Sequence, residues 1–248
     1  MNNTNYVNKS NFTVLAIILA VGFIIGAWIL SSTWRYVSRS NVTITVTGSA
    51  SENITSDFAI WRGTFSAESN TLAEAFAKLK SSKEKVNTYL LSKGFTQDKI
   101  VMSSINTTNL YVNDNQGIPT NLISGYRLSQ DVSIESNDVS KIDNLSREVT
   151  DLINEGVEIN SLPPEFLYTK LGDLKIKMIG RASRDAKERA EQIAQSTENS
   201  IGEVRSSKMG VMQINAKNST EISDYGINNT SSLEKTLTAV VNVSFSIK

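Results

Sequence analysis

Residues 12–30 read FTVLAIILAVGFIIGAWIL, a run without any charged residue that is bounded by Asn11 and Ser31. A helix needs about 20 apolar residues to cross the hydrocarbon core of a bilayer. This run is just long enough, and we expect a transmembrane anchor over residues 12–34. Trp28 and Trp34, with Tyr36, lie where an aromatic belt would meet the lipid headgroups. The residues expected to face lipid are Phe12, Leu15, Ile18, Phe23, Ile25, Trp28 and Leu30.

Two other interpretations of this run are open. A cleaved secretory signal would have an apolar region of roughly 7 to 15 residues and small residues at the cleavage site. Here the run is longer, and the sequence SSTWRY that follows it places large side chains near any cut. A buried core helix would carry a polar face, and this segment has none. We therefore favour an uncleaved anchor.

The anchor divides the chain into a short tail (residues 1–11), the span, a linker (residues 35–40) and one large domain (residues 41–248). The flanking charges do not fix the orientation, because Lys9 lies on one side and Arg35 and Arg39 on the other. A large domain can also translocate whatever its nearby charges. Function is therefore expected in residues 41–248.

Composition narrows the possible functions of this domain. Lys+Arg and Asp+Glu both number 25, and a net charge of zero argues against a nucleic-acid partner. The chain has no Cys and no His, which removes thiol nucleophiles, disulfides, thiolate or imidazole metal sites and a histidine general base. We expect no catalytic residue, no cofactor and no metal site, and the composition identifies no small-molecule ligand.

Hydrophobic periodicity predicts an α+β domain, with mainly antiparallel sheet and helices packed on one face. We expect two related halves divided near residue 136, and a loop over the turn-rich residues 51–57. Asn70 or Thr71 would cap the first helix of the domain and Gly94 would end it. The expected helices cover about 71–92, 138–154 and 171–197. The expected strands cover about 42–47, 58–66, 100–112, 122–135, 157–168, 203–214 and 233–247.

The apolar faces of the last two helices follow from the same spacing. The 138–154 helix should bury Val139, Ile142, Leu145, Val149, Leu152 and Ile153. The 171–197 helix should bury Leu171, Leu174, Met178, Ala182, Ala186, Ala190 and Ile193, and its small residues would allow close approach to a sheet.

The closing strand, TLTAVVNVSFSI, is long, β-branched and uncharged after Lys235. At a sheet edge, such a strand would invite pairing with a neighbouring subunit. Repeated around an axis, that contact would give a ring. The alternative is that the strand lies in the middle of the sheet and pairs on both sides within one chain.

Several segments together resemble the SIMPL-domain family over residues 41–248. They are VTITVTGSAS with Gly48, Asp57, the Glu74-Ala75 helix, LSKGFTQDKIVMSSI, ISGYRLSQDVSI with Gly125 and Tyr126, and RASRDAKERAEQIA with Ala182 and Ala186 before Gly202. The resemblance implies a bacterial envelope or periplasmic protein without established catalysis. It also implies a link to oxidative-stress tolerance and, by family precedent, a channel-like ring.

Three further features of the sequence are candidate sites. Gly125-Tyr126 reads as a strand feature in which Gly permits a bulge or close packing, in preference to a ligand site. Asp131, Glu135 and Asp138 offer oxygen ligands but lack the spacing of a calcium-binding loop, so a solvated edge is favoured. Gly48 precedes no phosphate-cradling turn, which argues against nucleotide binding.

We favour a non-enzymatic envelope protein. It would cross the bacterial inner membrane once, with its domain on the periplasmic or extracellular side. It would assemble as a homo-oligomer and serve an envelope or stress role. One alternative is a channel or transport component. Another is a glycan hydrolase using two carboxylates about 5 to 10 Å apart, chemistry that needs neither His nor Cys.

Overall fold

A computed structural model describes the backbone of residues 9–40 and 42–248, and the side chains of residues 14–34 and 42–248. The helices are α1 (Lys9–Ser40), α2 (Leu72–Ser92), α3 (Val139–Glu148) and α4 (Leu171–Ser196), with 3₁₀ turns at Gln97–Lys99 and Val149–Glu155. The strands are β1 (Thr43–Thr55), β2 (Phe58–Ser69), β3 (Ile100–Met102), β4 (Asn106–Asn113), β5 (Pro119–Ser136), β6 (Glu158–Ser161), β7 (Glu165–Leu167), β8 (Ile201–Met209), β9 (Gln213–Ala216), β10 (Ile227–Asn228) and β11 (Glu234–Ile247).

Helix α1 contains the segment Val14–Trp34, which is long and apolar enough to cross a membrane and contains no buried residue. The expected lipid-facing residues are exposed, apart from Phe12, whose side chain lies outside the described residues. Residues 35–40, which we expected to link the span to the domain, are helical and continuous with α1. The tail is helical from Lys9, and residues 1–8 lie outside the described residues.

The chain forms two compact units, each built from separate stretches. Unit 1 contains residues 1–50, 179–210 and 240–248, and unit 2 contains residues 51–178 and 211–239. The predicted division near residue 136 is therefore not where the units divide. Strand β1, helix α4 and strand β11 each contribute residues to both units.

In unit 2, helices α2 and α3 cover one face of a sheet in which β2 and β5 are central. Its strand order is β3-β5-β2-β6, with β4 also on β5 and β7 also on β2, and every pairing is antiparallel. Alternate residues of β2, such as Trp61 and Phe65, are fully buried, as period-2 patterning requires. Trp61 Nε1 donates to Ser161 Oγ at 2.9 Å, so the buried indole is satisfied.

Local capping sets the helix ends in unit 2. Thr71 Oγ1 accepts from the Glu74 N–H, and Gly94 follows the helix at φ +78°, which confirms both expected ends of α2. Gly156 similarly ends the second helical segment at φ +81°, although its last part is a 3₁₀ turn. Ile153 in that turn is exposed, so its predicted burial is wrong. The tighter 3₁₀ winding moves it off the inner stripe that α-helical spacing assigned to it.

Unit 1 contains the end of α4 and the strands around it. Its helical stripe of small residues is fully buried: Ala182, Ala186, Ala190 and Ala194. The predicted burial of Ile193 is wrong, since that side chain is 47% exposed and Ala194 takes the inner position. The stripe advances by four residues at each step here, so its last member is 194 and not 193.

Strand β11 is paired on both sides. In the five-stranded sheet the order is β1-β11-β9-β10, and β8 pairs with the second half of β11. The expectation that the closing strand is a free edge is therefore wrong, and the alternative is confirmed. Its partner β1 lies at the other end of the domain in the sequence, and the local sequence of β11 does not indicate so distant a partner. The closing strand therefore offers no free edge through which a ring could form.

Other differences concern strand lengths. Strand β1 continues through the predicted loop to Thr55, because Ser51 Oγ and Asn53 Oδ1 hydrogen-bond to the hydroxyls of Thr238 and Thr236 in β11. The predicted 100–112 strand is split into β3 and β4, and the 157–168 strand into β6 and β7 on either side of Pro163-Pro164. The predicted 203–214 strand likewise divides into β8 and β9.

Candidate functional site

Gly48 lies where β1 passes directly against α4. A Cβ added at Gly48 would lie 2.6 Å from the Ala186 Cβ, and closer still to the Ala182 carbonyl oxygen and the Ala186 backbone nitrogen. Three of the residues singled out from the sequence therefore form one strand–helix contact. The contact leaves no room for a side chain at position 48, and it has a packing role.

Asp185 joins the same strand and helix by a hydrogen bond. The Ser49 N–H donates to Asp185 Oδ2 at 2.7 Å, and Arg189 Nε donates to the same oxygen at 2.8 Å. The Ser49 hydrogen bond is the largest cause that lowers the pKa of Asp185, and Arg189 adds to it against the opposing effect of burial. Asp185 is thus an ionised structural carboxylate.

An open cleft of about 690 Å³ lies beside this contact. Two of its lining residues, Asp185 and Glu188, are carboxylic acids, the residue type that a glycan hydrolase uses in pairs. A general acid in such a pair needs a raised pKa, whereas that of Asp185 is lowered. The cleft is lined by Thr45, Val46, Thr47, Asp185, Glu188, Arg189, Gln192 and Ile193.

Asp57 fastens the turn between β1 and β2 to the segment before α4. Its two carboxylate oxygens accept from the Thr169 N–H at 2.7 Å and the Thr169 hydroxyl at 2.8 Å. Burial raises the pKa of Asp57, but the two hydrogen bonds from Thr169 outweigh it, and the net shift is downward. Asp57 therefore stabilises the fold in its charged form.

This arrangement predicts a pH-dependent stability. Because the folded-state pKa of Asp57 lies below its ordinary value of 3.8, its contribution is present above that value and is lost as pH falls through the folded-state pKa. Asp57→Asn should lower the free energy of unfolding at pH 7 by about 1 kcal/mol and flatten its decline below pH 4. Urea unfolding between pH 3 and 7 measures both.

The control is Asp224→Asn, at an exposed position in the 217–233 connector. It should reproduce the wild-type pH profile. If Asp57→Asn gives that same profile, the Thr169 contact contributes nothing to the pH dependence.

Gly125 and Tyr126 lie in β5 beside the end of β2. From there to Pro119, β4 is the strand that pairs with β5. Tyr126 pairs with Ser69, the last residue of β2, and packs half-buried on the hydrophobic core. A Cβ at Gly125 would lie 2.9 Å from the Ser69 carbonyl oxygen. The pair therefore lies at a crowded strand end, which supports its interpretation as a structural feature.

The acidic residues considered as cation ligands have separate structural partners. Asp131 Oδ1 accepts from the Thr64 hydroxyl at 2.6 Å, and Asp138 Oδ1 caps α3 by accepting from the Lys141 N–H at 3.0 Å. Within residues 14–34 and 42–248, no three acidic side chains are grouped as metal ligands. Glu135 lines a depression of about 280 Å³ together with Asp138, Lys99 and Lys141.

The contacts described above lie in a domain that matches a known protein family. A model described as "SIMPL: Protein of unknown function (DUF541)" matches residues 44–245, which is most of the chain. The chain belongs to the SIMPL family. No curated protein matches it. The match begins in β1 and ends in β11, so α1 lies outside the SIMPL domain.

The SIMPL domain contains one buried amine that the sequence did not single out. Lys235 in β11 is only 2% exposed, and its Nζ donates to the Phe166 carbonyl oxygen at 2.5 Å. Burial lowers the pKa of this amine below 10.5, because a charge is poorly solvated there. The contact holds β7 near the start of β11.

A second overlooked feature is the hairpin of the SIMPL domain formed by β4 and the first part of β5, residues 106–125, which we call the ribbon. It exposes five large apolar side chains, of which Leu122 at 68% and Ile118 at 56% are the most exposed. The only charged residue between Lys99 and Arg127 is Asp114. This scarcity of charge was visible in the sequence. The exposed apolar residues are Tyr111, Val112, Ile118, Leu122 and Ile123.

Proposed function

We propose that this chain is a non-enzymatic, membrane-anchored envelope protein whose SIMPL domain self-assembles. It resides in the bacterial inner membrane with a single span and the domain on the periplasmic or extracellular side. The observation that carries the proposal is the segment Val14–Trp34, 21 residues of high mean hydropathy of which none is buried, joined to a SIMPL domain. A segment of this kind is compatible with an anchor or with a signal sequence, and its length favours the anchor.

The engaged state of the acidic side chains supports a non-enzymatic role. The Asp185 carboxylate holds a backbone amide and a guanidinium, and that of Asp57 holds both donors of Thr169. Both have lowered pKa values, the opposite of what a general acid requires. In the proposed function, Asp185 and Asp57 therefore stabilise the fold and have no catalytic role.

The feature that supports self-assembly is the ribbon, and no longer the closing strand. The only charge of this hairpin is Asp114 at its turn, and strands that expose apolar side chains in this way are candidates for an interaction surface. A ring is one arrangement that such contacts can build, as the family resemblance suggests. The proposed physiological role is in the envelope or in tolerance of oxidative stress.

Reporter fusions and particle mass test the proposal. A reporter active only in the cytoplasm, fused after Lys248, should be inactive, and a periplasmic reporter should be active. The full chain in mild detergent should have a mass several times that of its 27.2 kDa monomer. Cytoplasmic reporter activity would refute the topology, and a monomeric mass would refute self-assembly. A deletion strain with unchanged survival in peroxide would refute the stress role.

We also expect residues 41–248 to fold without the anchor. Every member of the unit 2 core lies between residues 59 and 166, and the exposed side chains of α1 contribute no buried residue to it. A chain beginning at Asn41 should be soluble and should melt cooperatively. The control is the full chain in detergent, whose domain should melt within a few degrees of the truncated one. Aggregation of the truncated chain in every buffer would contradict the prediction.

A further inference from the structure

One edge of strand β4 has no partner strand among the described residues. The Ser103 N–H donates to the Asp131 carbonyl at 2.9 Å, so odd-numbered residues of β5 direct their backbone groups toward β3 and β4. The register between β4 and β5 then turns the even-numbered residues 106, 108 and 110 inward. The N–H and C=O groups of Thr107 and Asn109 therefore point outward, away from β5.

The ribbon also extends beyond the rest of its sheet. Strand β2 ends at Ser69, paired with Tyr126, so residues 119–125 of β5 have only β4 beside them. Tyr111 lies opposite Ile123 on one face, whereas Val112 and Leu122 are on the other. A two-stranded hairpin with apolar side chains on both faces is marginally stable alone in water. A partner that covers it would remove this weakness.

Two other edges of the sheets carry protection that β4 lacks. Strand β8 has charged residues at 203, 205 and 208, and Pro163-Pro164 interrupts the edge formed by β6 and β7. Strand β4 reads NTTNLYVN, with neither a charge nor a proline. Like charges directly opposite each other destabilise paired strands, and an uncharged strand can face a copy of itself without that cost.

We propose that β4 of one chain pairs antiparallel with β4 of a second copy, about a two-fold axis through the strand. This inference rests on the proposed self-assembly and names the surface that carries it. The pairing satisfies the outward groups of Thr107 and Asn109 and joins two ribbons into one four-stranded sheet. Membrane anchors would confine the copies to one surface and raise their effective concentration.

The composition of the ribbon tip favours a protein partner over the bilayer. The turn between the strands contains Asp114, whose Oδ1 accepts from the N–H groups of Gln116 and Ile118 at 2.8 and 2.9 Å. A carboxylate at the tip is costly inside lipid. The apolar residues lie along the sides of the ribbon, where a paired strand and its side chains reach them.

Cysteine scanning of the full chain in membranes tests the pairing, because the natural chain has no Cys. Single cysteines at each position from 106 to 113 are oxidised, and disulfide-linked dimers are quantified. Two-fold antiparallel pairing predicts a maximum at one or two adjacent positions, at least fivefold above both ends of the strand. Val204→Cys and Ile176→Cys, at exposed apolar positions elsewhere, serve as controls and should remain at background.

Proline variants separate the pairing from folding. Thr107→Pro and Asn109→Pro lose only an outward N–H, so the domain should melt as the wild type while cross-linking at the scan maximum falls at least fivefold. Thr107→Ala and Asn109→Ala keep that N–H and should cross-link normally. If a Pro variant fails to fold, Asn109→Lys, which places like charges across the pair, provides the same readout.

The outcomes distinguish this inference from the proposed function. A flat cross-linking profile with an oligomeric mass overturns the β4 pairing and leaves self-assembly intact. A monomeric mass overturns both. Cross-links from β4 to a different protein, or to lipid from a photoreactive side chain at Leu122, likewise overturn the inference by identifying another occupant.

Discussion

Gly48→Ala should destabilise the domain by about 3 kcal/mol, at the upper end of the cost of overpacking. The new Cβ would overlap the Ala182 carbonyl oxygen and the Ala186 nitrogen, which are backbone atoms that no rotamer change can move. Helix α4 would have to shift from β1 and weaken the hydrogen bond from the Ser49 N–H to Asp185. Urea unfolding of the full chain measures the loss.

Gly180→Ala is the matched control for Gly48→Ala. Gly180 lies in α4, and an added Cβ there meets nothing within 4 Å. Alanine is favoured over glycine in a helix by about 1 kcal/mol, so this variant should be as stable as the wild type or more stable. If Gly48→Ala unfolds within about 0.5 kcal/mol of the wild type, the close approach of β1 to α4 is refuted.

Val241→Pro should also unfold the domain, with a loss on the order of 3 kcal/mol. Val241 is 1% exposed and lies in β11 between β1 and β8. Proline would remove a ladder hydrogen bond, leave a buried carbonyl unpaired and force its ring into the neighbouring backbone. Loss of the cooperative melting transition is the measurement.

Val241→Ala separates packing from hydrogen bonding at this position. It keeps the N–H and should cost less than the proline variant while leaving a folded domain. A Val241→Pro protein that stays folded and becomes monomeric would contradict a central β11, and would restore the edge-strand interpretation made from the sequence.

The helices were predictable because their signals are local. Periodic apolar residues between Thr71 and Gly94 place α2 within one or two residues of its observed ends. The same spacing correctly assigned Ala182 and Ala186 to the inner face of α4. It failed at Ile193, because the buried positions of α4 continue at four-residue steps to Ala194, whereas helical spacing alone also allows a step of three.

The strand partners were not predictable from such local signals. A long uncharged strand such as β11 fits either the middle or the edge of a sheet, and its partner β1 is nearly 200 residues away in the sequence. The strand predicted from the sequence ends at Thr47, because SENIT has the composition of a turn. In the structure, cross-strand hydrogen bonds of Ser51 and Asn53 keep β1 extended as far as Thr55. Tertiary contacts override local propensity in both cases.

The candidate site was predictable in part for the same reason. The sequence singled out Gly48, Ala182 and Ala186 separately, but only the fold shows that they form one contact. The ribbon could have been recognised from the absence of charge on either side of Asp114. Its free edge depends on which strands pair with β5, and that information lies outside the ribbon.

The enclosed Lys235 amine provides a built-in reporter of local opening. A reagent that acylates amines reaches exposed lysines directly, but it reaches Lys235 only after β7 separates from β11 and frees the Phe166 carbonyl. The labelling rate at this one position therefore measures how often that part of the domain opens. Mass spectrometry of labelled peptides would follow it without any substitution.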